Sequence, residues 1–418
     1  MRIAVLILAF FLCFYPVNLL NCTASANDLE LIPQKISLKL SGSPVPQFLL
    51  KALAYDEVAR KIEENKAKNL YILKDQIQCI NFLYPKETTI ITVPVLTRKN
   101  GKKSIKQIYV VAKNKGLSKG SDDYLMISND PEIVPREGVL FREELKDWKS
   151  ARLLYYHSTE DKSFDLVTTI YNPTDWPIEV FASAGIGGPS NDGIYAGHVA
   201  TLRFMNRMQY NAGRIIKIPP RSSYELVRQR LTPQTKTGTA IARLWLVSGH
   251  KAGIEIKAQK PGEKKADLAV IRPKWDNGRI SYFVPSSIIN IEKEFDSNDY
   301  RLNIRIGEEP VFVTPKRGFD IHLGNYGLLH RINLKLSNNK GNKPRNLSLY
   351  YTARGGVTRG VFLINGELYE TGLLDTNGTR SEKIASIKLP PRSSKNLEIL
   401  MMQQPGAYYP TTLSVHAN

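Results

Sequence analysis

The sequence predicts a mainly β protein in which two tandem antiparallel β-sandwiches, of Ig-like or jelly-roll-like type, follow a small α+β domain. Three observations lead to this prediction. Short runs of β-branched and aromatic residues alternate with turn residues, an eight-residue motif occurs twice, and an amphipathic helical pattern is confined to the first third. The composition, 42% apolar and 23% charged over 418 residues, is globular and excludes a disordered or collagen-like chain.

Residues 1–26 have the pattern of a signal peptide. Arg2 precedes an unbroken apolar run, Pro16 ends that run, and Ala24 and Ala26 place small residues on either side of Ser25. We therefore expect cleavage after Ala26 and an exported protein that is secreted, periplasmic or associated with the cell envelope. Two alternatives stay open, namely lipid attachment at Cys22 and retention of the apolar run as a membrane anchor.

Residues 27–120 are predicted to form the small α+β domain. Apolar residues at three- and four-residue spacing within residues 45–68 indicate an amphipathic helix. Residues 88–97 and 104–112 are typical of strands, and Asn100-Gly101 between them is a two-residue hairpin turn. Once the signal peptide is removed, the chain keeps Cys79 as its one cysteine and cannot form an internal disulfide.

An internal duplication predicts the two sandwiches. The segment 216–223 (IKIPPRSS) recurs at 387–394 (IKLPPRSS), with seven of eight residues identical. Seven or eight short strands surround each copy, which gives domains at 131–260 and 275–418 joined by a polar connection at 257–274. We interpret each Pro-Pro pair as a turn between strands, where a missing N–H is tolerated.

The chain is strongly basic, with 58 Lys and Arg against 39 Asp and Glu, a net charge of +19. The predicted hairpin concentrates this charge, and no acidic residue occurs between positions 98 and 119. A solvated edge is one explanation for the cluster. The other is a footprint for an anionic envelope polymer or membrane surface, rather than nucleic acid. Its candidate contacts are Arg98, Lys99, Lys102, Lys103 and Lys106.

No sequence motif indicates a reaction, a metal or a cofactor. The six histidines are scattered without metal-binding spacing, and neither a nucleophile elbow nor a phosphate-binding loop occurs. The best candidate for a ligand site is a glycine-rich stretch, residues 185–198, that we expect to be a flexible loop. It contains Asp192, Tyr195 and His198.

Several motifs of the second copy carry a resemblance. They are Gly324-Asn-Tyr-Gly327, Gly355-Gly356, the stretch 362–366 (FLING) and the stretch 402–410 (MQQPGAYYP). With these motifs, residues 131–415 resemble a group of uncharacterised exported bacterial proteins with duplicated β-rich domains. The resemblance implies a bacterial envelope or secreted setting and assigns no catalytic residue.

Two function classes follow from these observations. The first is an exported, non-catalytic protein that binds or organises a component of the cell envelope, since duplicated sandwiches often serve as binding modules. The alternative is a secreted carbohydrate-active or other hydrolytic enzyme whose site is assembled from distant loops. Convergence of Asp192, Tyr195 and His198 with residues of another loop would favour the enzyme. The sequence leaves the oligomeric state open.

Overall fold

The computed structural model describes residues 29–99, 102–118, 122–145, 150–263, 268–271, 282–309, 311–313, 320–339 and 341–417. These residues are mainly β, with 55% strand, 12% helix and two helices, so the prediction of a mainly β protein is confirmed. The predicted signal peptide, the Asn100-Gly101 turn and part of the 257–274 connection lie outside the described residues.

In the amino-terminal part, one helix packs on one face of a sheet. Helix α1 (Gln47–Glu64) confirms the amphipathic pattern, because Leu50, Leu53 and Val58 are buried in a cluster with sheet residues such as Val93. No described helix is long and apolar enough to span a membrane. The strands of this part are β1 (Lys35–Ser41), β2 (Val45–Pro46), β3 (Leu70–Ile72), β4 (Phe82–Leu83), β5 (Thr88–Lys99) and β6 (Lys102–Asn114).

The middle part forms two sheets that share a buried core. Leu153 and Ile254, from different sheets, lie in the same apolar cluster. The strands are β7 (Asp122–Ser128), β8 (Gly138–Leu145), β9 (Ser150–Ser158), β10 (Phe164–Tyr171), β11 (Ile178–Ser190), β12 (Gly213–Ile218), β13 (Ser223–Leu231), β14 (Thr237–Ser248), β15 (Ala252–Gln259) and β16 (Tyr282–Val284).

The larger of these sheets continues into the amino-terminal part. Its ten strands follow the order β16-β7-β9-β14-β11-β12-β1-β6-β5-β3, and the smaller sheet has the order β13-β10-β15-β8. The junction is an antiparallel pairing in which Leu40 lies opposite Arg214 and Ser41 opposite Gly213. Residues 27–120 therefore share a hydrogen-bonded sheet with the segment predicted as the first sandwich.

The carboxyl-terminal part contains a five-stranded sheet, β17-β21-β26-β23-β24, and a four-stranded sheet, β18-β27-β22-β25. Both contribute to one buried cluster, for example through Ile332 and Leu349. The strands are β17 (Ile288–Asp296), β18 (Arg301–Ile306), β19 (Val311–Val313), β20 (Asp320–His322), β21 (Leu329–Ser337), β22 (Arg345–Ala353), β23 (Val361–Ile364), β24 (Glu367–Glu370), β25 (Ser381–Leu389), β26 (Ser394–Met402) and β27 (Thr411–Ala417).

Three strand pairs are parallel, namely β1 with β6, β7 with β9, and β17 with β21, and the last of them lies within a segment that was predicted to be an antiparallel sandwich. The reason is the same for the last two pairs. Between the partners the chain crosses to the opposite sheet, through β8 in one case and β18 in the other. It then returns in its original direction, as a crossover connection requires.

The two Pro-Pro turns have matching surroundings. Each connects a strand of one sheet to a strand of the facing sheet, β12 to β13 and β25 to β26. The buried Asn172 side chain donates to the Pro219 carbonyl at 2.9 Å, and that of Asn338 donates to the Pro390 carbonyl at 3.0 Å. An asparagine amide thus fastens each turn to the end of a neighbouring strand.

Helix α2 (Gly193–Gln209) lies between the middle and carboxyl-terminal parts. Phe204, Met205 and Met208 belong to a buried cluster that also contains Ile241 of the middle part and Leu400 of the carboxyl-terminal part. In the same interface the buried Arg152 donates to the backbone carbonyls of residues 287 and 327, both at 2.9 Å. The two parts are therefore joined by a largely apolar contact.

Candidate binding face

The prediction of a flexible loop at residues 185–198 is wrong, because this segment is the end of β11 followed by the first turns of α2. Its glycines allow the helix to approach the strand closely. A Cβ atom on Gly185 would lie 2.2 Å from the Ala200 carbonyl oxygen, and one on Gly187 would lie 1.9 Å from that of Ala196. The glycines therefore serve packing rather than loop mobility.

The structure places the three candidate ligand residues in different surroundings. Asp192 is the N-cap of α2, and its carboxylate accepts a 2.9 Å hydrogen bond from the Tyr195 backbone N–H. The Tyr195 ring is 44% exposed, and the Arg359 guanidinium lies 5.8 Å from its centre. His198 is buried, so the three side chains do not line one open pocket.

His198 does meet residues from the carboxyl-terminal part. Its Nε2 donates to Glu370 Oε2 at 2.8 Å, and its Nδ1 lies 3.3 Å from Gln404 Oε1. The hydrogen bond from His198 lowers the pKa of the Glu370 carboxyl, with burial opposing it. The Gln404 amide nitrogen is buried and has no partner in the part of the chain that the structure describes, and the reversed amide orientation would let it donate to His198 Nδ1.

Among the described residues, the side chains that contact His198 through hydrogen bonds are those of Glu370 and Gln404, and neither is a hydroxyl or thiol nucleophile. Both imidazole nitrogens of His198 are engaged, and Thr201, the hydroxyl one helical turn away, donates to the Gly197 carbonyl. Within the described ranges no group of three or more His, Cys, Asp or Glu side chains could hold a metal ion. Cys79 is half-buried, and burial raises the pKa of its thiol. The His198 cluster therefore joins two parts of the chain.

The basic hairpin is present, with β5 and β6 paired antiparallel and Lys99 opposite Lys102. Of its five candidate contacts, Arg98, Lys99 and Lys102 have side chains outside the described atoms. Lys103 is exposed. Lys106 lies on the other face, where its ammonium donates to the carbonyls of Leu29 and Ile32 at 2.6 and 2.8 Å. Lys106 therefore fixes the chain that leads into β1.

Strand alternation defines one solvent-facing side of this sheet, which we call the outer face. Ile91, Val93 and Val95 of β5 point towards α1 and are buried, so the residues between them point away. In register with those residues, Tyr109 lies opposite Thr92. The outer face includes Lys35, Tyr71, Ile90, Leu96, Lys103, Ile105, Tyr109, Val111 and Lys113, and also Lys39, which pairs with Glu179 at 2.6 Å.

The outer face combines exposed apolar side chains with lysines. Ile90, Ile105 and Tyr109 are 58%, 53% and 38% exposed, which is unusual for large apolar residues on neighbouring strands. Lys35 of the neighbouring strand β1 lies opposite Tyr109 and is exposed. Lys103 and Lys113 are exposed near the two ends of β6. Strands β1, β5 and β6 contain no acidic residue. Such a surface suits an anionic partner that also offers apolar contacts.

Of the five basic residues predicted as contacts, Lys103 is the one whose side chain is described on this face, and the exposed apolar residues of the face were not predicted. The available signal was residues 88–97, TTIITVPVLT, in which apolar residues occupy both faces of a strand. Helix α2 was also missed, although a signal was available, because Asp192 is a typical residue for the start of a helix. Its buried face follows a four-residue spacing, seen at Ala196, Ala200, Phe204 and Met208.

Comparison with known proteins gives little. No protein-family model and no curated protein matches the sequence. Among solved structures, tripeptidyl peptidase 2 is 8% identical with a TM-score of 0.18, covering 83% of this chain and 29% of its own. The PBSX exported protein XepA is 8% identical with a TM-score of 0.14, covering 68% and 87%. The tandem CBM22 domains of Paenibacillus barcinonensis Xyn10C are 6% identical with a TM-score of 0.15, covering 68% and 99%. Likenesses this weak carry no argument.

Proposed function

We propose that this chain is an exported, non-catalytic binding protein of the cell envelope that attaches to an anionic lipid surface. The observation that carries this proposal is the outer face, where lysines surround exposed Ile90, Ile105 and Tyr109. Export rests on the signal pattern of residues 1–26, and an exported chain meets membrane surfaces rather than nucleic acid.

Lipid accounts for both components of the outer face. Each lysine near an anionic membrane contributes about 1 kcal/mol of attraction, which decays over a Debye length of about 8 Å at physiological salt. Ile90, Ile105 and Tyr109 gain further free energy when their side chains enter the boundary between headgroups and acyl chains. An acidic polymer would use the lysines and leave the aliphatic side chains in water.

The remainder of the chain forms, in this proposal, two tandem β-sandwiches descended from one duplicated domain. The shared sheet order supports this, because β12-β11-β14-β9 corresponds to β25-β22-β27-β18 in strand sequence and pairing. The asparagine bonds to Pro219 and Pro390 support it as well. With α2 packed between them, the sandwiches would act as a rigid spacer or presenting unit.

A hydrolytic function has less support. Its best candidate residues, His198 and Glu370, bond to each other within a contact between two parts of the chain. Neither has a nucleophile or a second carboxylate among its hydrogen-bond partners. We therefore keep the secreted enzyme only as the alternative.

The experiment is cosedimentation of the mature chain with vesicles of phosphatidylcholine, with and without phosphatidylglycerol. We expect binding only to the anionic vesicles, weakening steeply with salt. The triple variant K35S/K103S/K113S should lose this binding, and I90S/I105S should weaken it at all salt concentrations. The matched control K383S/K388S/K395S removes three exposed lysines of the carboxyl-terminal part and should bind normally.

Two results would overturn the proposal. If the triple variant sediments with anionic vesicles as the parent does, the outer face is only a solvated sheet surface. If the parent ignores vesicles but is retained on immobilised polyphosphate through the same three lysines, the partner is an acidic polymer instead of lipid.

A further inference from the structure

A second candidate site lies away from the outer face, in a groove between α1 and β13. The groove has a volume of about 1300 Å³, which exceeds the usual range of about 300–1,000 Å³ for small-molecule pockets. At this place β12 pairs with β11 only from Ile178 to Ala182, and beyond it the Ile186 carbonyl accepts a hydrogen bond from the Arg203 side chain instead of from a strand. The middle pair of sheets is therefore open at this end.

Apolar side chains line the inner part of the groove. Ala184 and Ile186 of β11 and Leu226 of β13 are only partly buried, although they pack against the core between the two sheets. Side chains at this depth would normally be covered by the sandwich itself. An apolar group of a ligand could complete this layer and remove the exposed surface from water.

Arginines line the mouth of the groove. Arg214 of β12 donates to the Tyr224 hydroxyl at 2.8 Å, and its nearest carboxylate oxygens, on Asp56 and Glu57, are 3.8 and 3.7 Å away. The Arg207 side chain of α2 has no hydrogen bond or ion pair to any residue that the structure describes, although its backbone carbonyl accepts from the Ala212 N–H. Burial lowers the pKa of its guanidinium, Asp56 opposes this, and the positive charges of Arg214 and Arg203 lower it further.

Among the described residues, seven basic and six acidic side chains line the groove, which leaves an excess of one positive charge. Glu57 bonds to Arg60, whose guanidinium also lies 5.6 Å from the centre of the Tyr224 ring. Asp56 is half-exposed and reaches no arginine within hydrogen-bond distance. Guanidinium groups match carboxylates with two parallel hydrogen bonds, so an organic acid would satisfy donors that the protein leaves free.

We propose that this groove binds an amphiphilic carboxylate. Its charged group would contact Arg207 and Arg214 at the mouth, and its apolar chain would lie along Ala184, Ile186 and Leu226. Small inorganic anions would use only the arginines, and uncharged lipids only the apolar part. Binding should therefore require both halves of the ligand.

Titration calorimetry with decanoate, below the concentration at which it forms micelles, tests this site on the mature chain. We expect saturable binding of decanoate, with decanol and acetate each at least about tenfold weaker. Arg207→Gln should weaken decanoate binding by about tenfold, because it removes a charge-assisted hydrogen bond. Arg305→Gln, an exposed arginine of the carboxyl-terminal part, is the matched control and should leave the affinity unchanged.

Two further variants separate the possible outcomes. Arg207→Lys keeps the charge without the planar fork and should bind decanoate with intermediate affinity, even if the Gln variant folds poorly. The outer-face variant K35S/K103S/K113S should bind decanoate normally. Loss of vesicle binding and loss of decanoate binding can therefore be told apart. Equal affinity of the parent and both Arg207 variants, or equal affinity for decanoate and decanol, would overturn the assignment of this groove.

Discussion

His198 and Glu370 lie 172 positions apart in the sequence and form a 2.8 Å hydrogen bond that connects α2 to β24. The imidazole is buried, whereas 39% of the carboxylate side chain is exposed. A polar bond at the rim of an apolar contact adds orientation to that contact, because the groups pair in only one arrangement. We interpret this pair as one of the features that fix the carboxyl-terminal part against the helix.

Removing the Glu370 charge should weaken this contact. Glu370→Gln should lower the free energy of unfolding by about 1 kcal/mol at pH 7, a value reduced by partial exposure. The folded-state pKa of Glu370 is lowered. Its contribution to the free energy of unfolding is therefore present above the ordinary pKa of 4.5 and is lost as the pH falls through the lowered pKa. Chemical denaturation at pH 7 and at a pH below 4.5 measures the difference in stability between the parent and the variant. Glu367→Gln on the same strand is the control, and an equal effect would contradict the role of the pair.

Buried histidines should make the protein sensitive to acid. Burial lowers the pKa of His157 and of His330 to about 4, whereas the unfolded chain takes up these protons near pH 6.5. The stability that the two neutral histidines contribute is therefore fully present above pH 6.5 and is lost as the pH falls from 6.5 to about 4. The free energy of unfolding should decrease by roughly 2–3 kcal/mol for each histidine by pH 4.5.

Denaturation curves of His330→Leu test this, because Nδ1 of His330 has no hydrogen-bond partner among the described residues. The variant should lose part of the pH dependence and little stability at pH 7. His250→Gln, at an exposed histidine, should keep the parental profile. A His330→Leu profile identical to the parental one would show that His330 does not contribute.

Close packing of α2 on β11 predicts that Gly187 cannot be replaced. In Gly187→Ala, the new methyl group would lie 1.9 Å from a helix carbonyl oxygen, so the helix must move. We expect a loss of about 1–3 kcal/mol or more, seen as a lower thermal midpoint. Gly378→Ala, where the nearest atom is 3.9 Å away, should change stability by less than about 0.5 kcal/mol. Similar midpoints for both variants would argue against this packing.

The two Pro-Pro turns should respond alike to loss of their asparagines. Asn172→Ala and Asn338→Ala each remove at least two hydrogen bonds from the asparagine amide to backbone carbonyls, at a cost of about 1–3 kcal/mol, although Ser222 and Ser393 still donate to the Pro219 and Pro390 carbonyls. Urea denaturation measures both losses, with Asn377→Ala in an exposed turn as the control. A large loss in one variant and none in the other would contradict equivalent roles for the turns.

Processing gives a prediction that does not depend on the fold. Amino-terminal sequencing of the exported chain should begin at Asn27, because Ala24 and Ala26 place a pair of small residues shortly after the apolar run. A lipid on Cys22, detected by mass spectrometry, or an uncleaved amino terminus would each replace this prediction by one of its two alternatives.

The features that depend on nearby residues could be predicted from the sequence. Apolar spacing along the chain specified α1, and alternation with turn residues specified the strands and the β5–β6 hairpin. These patterns are local, since a helix or strand presents its apolar side at a fixed period. Charge was likewise readable, because the lysines of β6 are neighbours in the sequence.

Which elements share a sheet and which side chains stay exposed depends on contacts between distant parts of the chain. The pairing of Ser41 with Gly213 and the bond between His198 and Glu370 join positions far apart in the chain. No local period encodes such partners. The exposure of Ile90 and the arginines at the groove mouth also depend on what packs, or fails to pack, above them. Burial is a property of the assembled layers, so a sequence shows which residues are apolar but not which of them stay in contact with water.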